Sequence, residues 1–497
     1  MTGSANVENI ELKETEAKGS AMEPETNIYS ADEANVEGKI IQTDEVFGVV
    51  HEDGPNYRNV GWLGTSVLMM KAQIGLGVLA IPSVLHTLGL IPGLICLLSV
   101  SAIITYGDYI VGTFKTNHPD VYGIDDVGRM LFGGRIGREF IAVSFWLFMT
   151  CVAGSGLLSI SIGLNAISSH GTCTAVFVAV ATVVTFCLAS IQTLGKISWL
   201  GWVGMTSIMA ALLTLAIAVG VEDRPAAAPQ VGPWDKDLVL FGNPNFTDAI
   251  AAISTLVLSF AGTPGFFPIV SEMRNPRLYN RAMLTCQATI TIIYTTIGLV
   301  VYCYCGQYVA SPALGSAGGL LKKVCYGLAL PALFVTAMLY THLPAKYLMV
   351  RFLRGSEHLS TNTPKHYVVW FTSVGICVLF SYVIASAIPV FSGLVGLIGA
   401  LLGTLLCIQL MGGMWLYDNW MYRHTDKSWK YRSMLTWNIF MIILGTFLMV
   451  AGVSSSSLDR MEFTLRLAKT YGSVVGIKES YTADGGTSAW SCADNSK

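Results

Sequence analysis

The chain has 497 residues, 53% hydrophobic and 12% charged, with a formal net charge of -2. A soluble domain carries about twice that share of charge. The composition therefore excludes an ordinary soluble protein, and the near-neutral balance gives no basis for nucleic-acid binding. Eleven cysteines are scattered without a CxxC pair or a His/Cys cluster, so no metal is expected.

Residues 1–61 carry thirteen Asp/Glu against four Lys/Arg and no long apolar run, which reads as a disordered acidic tail without a cleavable signal peptide. Eleven apolar segments follow, at about 63–86, 91–114, 139–165, 174–192, 198–220, 248–272, 283–305, 327–349, 367–387, 389–411 and 435–453. The long ones reach the roughly 20 residues that cross a bilayer as helix. The chain thus reads as an all-α polytopic membrane protein with a membrane domain over 62–453 and a polar tail over 454–497.

Basic residues set the orientation. With the N-terminal tail in the cytoplasm, fifteen Lys/Arg fall in inner loops (Arg129, Arg138, Arg274 and Arg351 among them). Only Arg224, Lys236, Lys322 and Lys323 fall in outer loops. Eleven crossings then place the C-terminal tail outside. Two outer-loop features fit: Cys173 and Cys325, either disulfide-bonded or two free thiols, and the glycosylation sequon Asn245-Phe246-Thr247.

The first segment contains Met70-Lys71-Ala72-Gln73-Ile74-Gly75-Leu76-Gly77, with Pro82 beyond. Glycine and proline weaken a helix, and open backbone survives in a bilayer only where it lines a cavity or is covered by protein. The sixth segment is interrupted in the same way at Ala261-Gly262-Thr263-Pro264-Gly265. One interrupted helix in each half points to a secondary transporter. Exposed amides at a half-helix start can hold a carboxylate, and exposed carbonyls can hold an ammonium. Phe260 borders the second break and offers an apolar wall for a substrate side chain.

Ionisable residues inside the segments are functional candidates. Lys71 can pair with a carboxylate or with carbonyls near the first break, or snorkel to the inner interface. Asp108 and Lys346 can each be interfacial, and Glu272 beside Arg274 reads as an interfacial ion pair or an inner-gate contact. His342 can relay a proton or serve as a packing histidine. No GxxxxGK[ST], HExxH or GxSxG motif occurs, so no enzyme and no cofactor is expected, and active transport has to draw on an ion gradient.

The stretches KAQIGLGVLAIPSVLHTLG and SFAGTPGFFPIVSEMRNP resemble the amino acid/auxin permease family, and within it the fungal neutral amino acid permeases. The resemblance spans about residues 60–455. It implies a leucine-transporter-like fold: segments one to five and six to ten as inverted repeats, with an eleventh helix added. It places the substrate head group at Ile74, Gly75, Leu76 and Gly77 together with Phe260, Ala261, Gly262 and Thr263. It also implies a Cys173–Cys325 disulfide, which some members carry. Sodium-coupled relatives favour threonine just before Pro344, where this chain has His342, so the resemblance points to the proton as coupling ion.

The expected activity is proton-coupled import of neutral aliphatic and aromatic L-amino acids across the plasma membrane. The rivals are a vacuolar exporter or exchanger on the same fold and a non-transporting amino acid sensor. Lys13, Lys18 and Lys39 in the inward tail are candidate acceptors for ubiquitin machinery.

Overall fold

A computed structural model describes residues 34–36, 39–44, 48–50, 60–75, 77–192, 194–225, 227–359, 363–387, 391–423 and 428–470. The tail expected to lack structure holds three short antiparallel strands, β1 (Ala34–Val36), β2 (Lys39–Asp44) and β3 (Gly48–Val50). They are ordered β1-β2-β3, with Asn35 opposite Ile40 and Thr43 opposite Val49.

Everything described after residue 60 is helical or connecting. The first apolar segment is α1 (Trp62–Lys71), a 3-10 turn at Gly77–Leu79, and α2 (Ile81–Leu88). Next come α3 (Leu90–Asn117), a short helix α4 (Ile124–Phe132), α5 (Gly134–Ser168), α6 (Thr174–Ala189) and α7 (Leu194–Val221). The sixth segment is α8 (Phe246–Phe260) and α9 (Thr263–Ser271). It is followed by α10 (Tyr279–Cys305), α11 (Gly319–Leu353), α12 (Pro364–Ala387) and α13 (Phe391–Ile398). Two π-helical turns lead into α14 (Leu410–Asn419), and α15 runs Trp429–Thr470.

Among the described residues nine helices are long and apolar enough to span a membrane. The shorter apolar helix α6 and the broken α1–α2 segment complete the eleven segments expected from hydropathy. The last helix continues past the expected end of its apolar stretch, through the serines after Val453.

Burial sorts the bundle into layers. The best apolar windows of α5 and of α8–α9 are 78% buried, against 22% for α15, so the broken sixth segment is central and α15 is peripheral. Local chemistry explains where the sixth segment stops and restarts. Pro264 lies in the first turn of α9, where its missing N–H removes no helix hydrogen bond, whereas Gly262 and Ala261 lie in the gap. Asn245 caps α8 at its N-terminal end by accepting from the Asp248 amide at 2.8 Å, so the sequon asparagine, which is exposed, also serves as a helix cap.

The cysteines correct one expectation. Cys173 is disulfide-bonded, but Cys325 is a free thiol buried inside α11. The Cys173–Cys325 bond is therefore not formed: α11 begins at Gly319, ahead of Cys325, and draws that side chain into the bundle.

Candidate functional site

The two breaks meet. The Ser259 hydroxyl lies 3.2 Å from the Gly77 carbonyl and 2.8 Å from its own helix carbonyl at Thr255, sharing one proton between them. Tyr294 of α10 places its hydroxyl 2.9 Å from the Gln73 carbonyl and 2.9 Å from the Ser259 carbonyl, one from each break. Tyr340 of α11 donates to the Ala72 carbonyl. These bonds occupy carbonyls that the interruption releases from the helical ladder, as burial requires.

The glycines are there because the approach is close. A Cβ on Gly77 would lie 2.6 Å from the Ser259 Cα, and one on Gly75 would lie 2.6 Å from the Thr336 hydroxyl. A Cβ on Gly262 would lie 2.7 Å from the Gln73 side chain. Ile74, Gly75, Gly77, Phe260, Ala261, Gly262 and Thr263 are all buried at this junction. Leu76 lies outside the described residues. Phe260 packs edge-on against Tyr294 with ring centroids 5.0 Å apart, forming the apolar wall beside the second break.

Gln73 is the residue that the sequence reading passed over. Its side chain is buried against Gly262, and neither its Oε1 nor its Nε2 has a hydrogen-bond partner among the described residues. A buried amide offering a free donor and a free acceptor at the meeting point of two breaks suits a small zwitterion. Its sequence signal is the one uncharged polar side chain inside the Met70–Pro82 apolar stretch.

Lys71 does not snorkel. It is fully buried, and its ammonium donates to the Ile74 carbonyl at 3.1 Å and to the Ala332 carbonyl of α11 at 3.4 Å. The Lys71 side chain thereby joins the first break to α11. Ala332, Thr336, Tyr340 and Leu343 of α11 follow helical spacing and face the breaks. His342 projects off that face. Its Nδ1 lies 3.4 Å from the Ala189 carbonyl at the end of α6, and its ring packs on Trp370 of α12 at 5.1 Å.

Asp108 and Lys346, expected at the interface, are both fully buried. Lys346 forms an ion pair with Glu272, the residue that ends α9, and Glu272 is equally buried. Residues 60–61, just ahead of α1, lie against this end of α9. Val60 exchanges backbone hydrogen bonds with Glu272 (3.3 Å) and Arg274 (2.9 Å), and Arg281 stacks 4.3 Å over Trp62. Around α4, Asp125 and Asp126 face Arg138 at 3.0 and 3.4 Å, and Arg354 reaches Asp126 at 3.3 Å. No group of three or more His, Cys, Asp or Glu suited to a metal occurs among the described residues.

The sequence profile described as "Transmembrane amino acid transporter protein" matches residues 58–458. A protein of Fusarium pseudograminearum named "Transmembrane transporter" is 32% identical over 458 residues, covering 92% of this chain and 91% of that one. The "N amino acid transport system protein" of Neurospora crassa is 32% identical over 356 residues, covering 70% of this chain and 74% of that one. Among solved structures, a Na+-coupled sialic acid symporter in a substrate-bound outward-open state superposes with a TM-score of 0.51 at 12% identity. That match covers 82% of this chain and 93% of the symporter and bears on the fold alone, which is leucine-transporter-like.

Proposed function

Because the chain belongs to the transmembrane amino acid transporter family, we propose that it imports neutral amino acids across the plasma membrane together with a proton, by alternating access at the two breaks. The observation that carries this reading is the Gln73 amide, buried and unpartnered where the two interrupted helices meet. The amide and the freed backbone groups read the head that every amino acid shares. Phe260 and its apolar neighbours surround the side chain without offering it a charge, which favours neutral residues over basic or acidic ones.

Of the two coupling candidates, Lys71 touches the break and His342 does not. Lys71 ties α1 to α11, so any movement of the first break against α11 has to stretch or exchange that bridge. His342 stacks between α6 and α12 and serves packing.

The test is uptake of labelled leucine and tryptophan into transporter-deficient cells with surface expression confirmed. Saturable uptake of both, competed by other neutral amino acids and not by arginine or glutamate, is the expected result. Surface-expressed protein that moves neither substrate overturns the reading.

A further inference from the structure

Asp108 sits within α3, fully buried, among neutral groups. Gln287 of α10 donates its side-chain amide to Oδ2, while Oδ1 has no hydrogen-bond partner. The Thr263 hydroxyl, on the first residue of α9, faces the carboxyl group without completing a hydrogen bond. Tyr279 donates to the Asp108 backbone carbonyl at 2.8 Å. The titratable groups facing it are Tyr279 and Cys286 from α10 and Cys407 from the π-helical turn before α14. Among the described residues Asp108 makes no ion pair.

We propose that Asp108 binds the co-transported proton and that Thr263 links its protonation to substrate binding at the second break. The inference rests on the proton-coupled import reading. A lone carboxylate in a dry interior costs far more free energy than the neutral acid, so this residue exchanges a proton when its access to water changes. Thr263 opens α9, whose N-terminal end is the place for the substrate carboxylate. An ionised Asp108 beside Thr263 repels that carboxylate in a medium that screens little. Protonation removes the repulsion and lets Oδ1 donate to the Thr263 hydroxyl, pairing two atoms that otherwise have no partner. Proton and substrate then favour each other's binding by the same factor, so the carrier fills with both together. One proton enters with each substrate from the outer side and leaves to the inner side, with no covalent step.

The experiment measures the KM for labelled leucine as a pH series from about pH 5 to about pH 7.5 in wild type, Asp108→Asn, Asp108→Glu and Gln287→Met. Wild type is expected to show a lower KM at the acid pH. Asp108→Asn is expected to show one KM across the series and no response to a protonophore. Asp108→Glu keeps a pH-dependent KM, and Gln287→Met keeps one with a displaced midpoint. If Asp108→Asn loses all uptake, the Glu and Met variants decide, because a purely structural role for Asp108 leaves the midpoint where it was. A wild-type pH profile in Asp108→Asn, or an unmoved midpoint in both other variants, overturns the inference while leaving proton-coupled import standing. Wild-type uptake indifferent to pH and protonophore removes the coupling reading itself.

Discussion

Ser259 and Gly77 join the two halves of the protein: the serine hydroxyl lies 3.2 Å from the glycine carbonyl, and a Cβ on the glycine would lie 2.6 Å from the serine Cα. Two segments far apart in sequence thus share a hydrogen bond between the 3-10 turn of the first and the last turn of α8. Separating them by one methyl group disturbs the junction without adding charge or polarity. Gly77→Ala is expected to cost about 1–3 kcal/mol at the junction, by analogy with overpacked cores. Leucine uptake should fall sharply while surface expression persists, and uptake equal to wild type would show that the contact is dispensable.

Tyr294 provides a milder perturbation. Tyr294→Phe keeps the ring against Phe260 and removes the hydroxyl shared by the Gln73 and Ser259 carbonyls. A hydrogen bond of this kind contributes about 0.5–1.5 kcal/mol. The expected outcome is a several-fold change in leucine KM or maximal rate with the purified protein still folded, read from uptake kinetics and a thermal melt.

Gln73 separates function from stability. A buried amide without partners is a cost to the fold, so the near-isosteric Gln73→Met should leave the melting temperature unchanged or raise it. The same change should abolish concentrative leucine uptake. A fall in melting temperature with transport intact would mean that the amide is a structural element.

The Glu272–Lys346 pair is fully buried at the C-terminal end of α9. Removing one partner takes the counter-charge of this pair from the other, which costs about 3–5 kcal/mol, whereas replacing both with apolar residues is often tolerated. Lys346→Met alone should destabilise the purified protein strongly, and Lys346→Met with Glu272→Leu should recover much of the loss. Thermal melts of the two singles and the double give the coupling directly.

Asp125, on the short helix α4, gives a pH dependence. Burial and the neighbouring Asp126 raise its carboxyl pKa, against the pull of Arg138. The folded protein therefore holds this proton more tightly than the unfolded chain. The stabilisation is fully present below the ordinary carboxylate value of about 3.9 and is lost as pH rises through the raised one. Acidification from neutral pH should raise the melting temperature over that window, and Asp125→Asn should remove that part of the dependence.

Much of this architecture is legible in the sequence because it rests on local chemistry. Runs of apolar residues marked the eleven segments, and Gly75, Gly77, Gly262 and Pro264 marked the breaks. Depth and partners were not legible. Asp108 and Lys346 read as interfacial because position along a helix does not reveal which face is covered by neighbouring helices. Tyr294 carries no signal in an apolar helix, since its role depends on two carbonyls supplied by distant segments. Cys325 read as a loop residue because nothing near it announces that α11 starts at Gly319.

The most direct test of the account is purified protein in liposomes carrying an imposed inward proton gradient, with labelled leucine and internal pH followed together. Leucine concentrated above the bath level, with matching acidification of the lumen and loss of both on adding a protonophore, is the predicted result. Leucine that merely equilibrates, with no leucine-dependent proton entry, would contradict proton-coupled import at the two breaks.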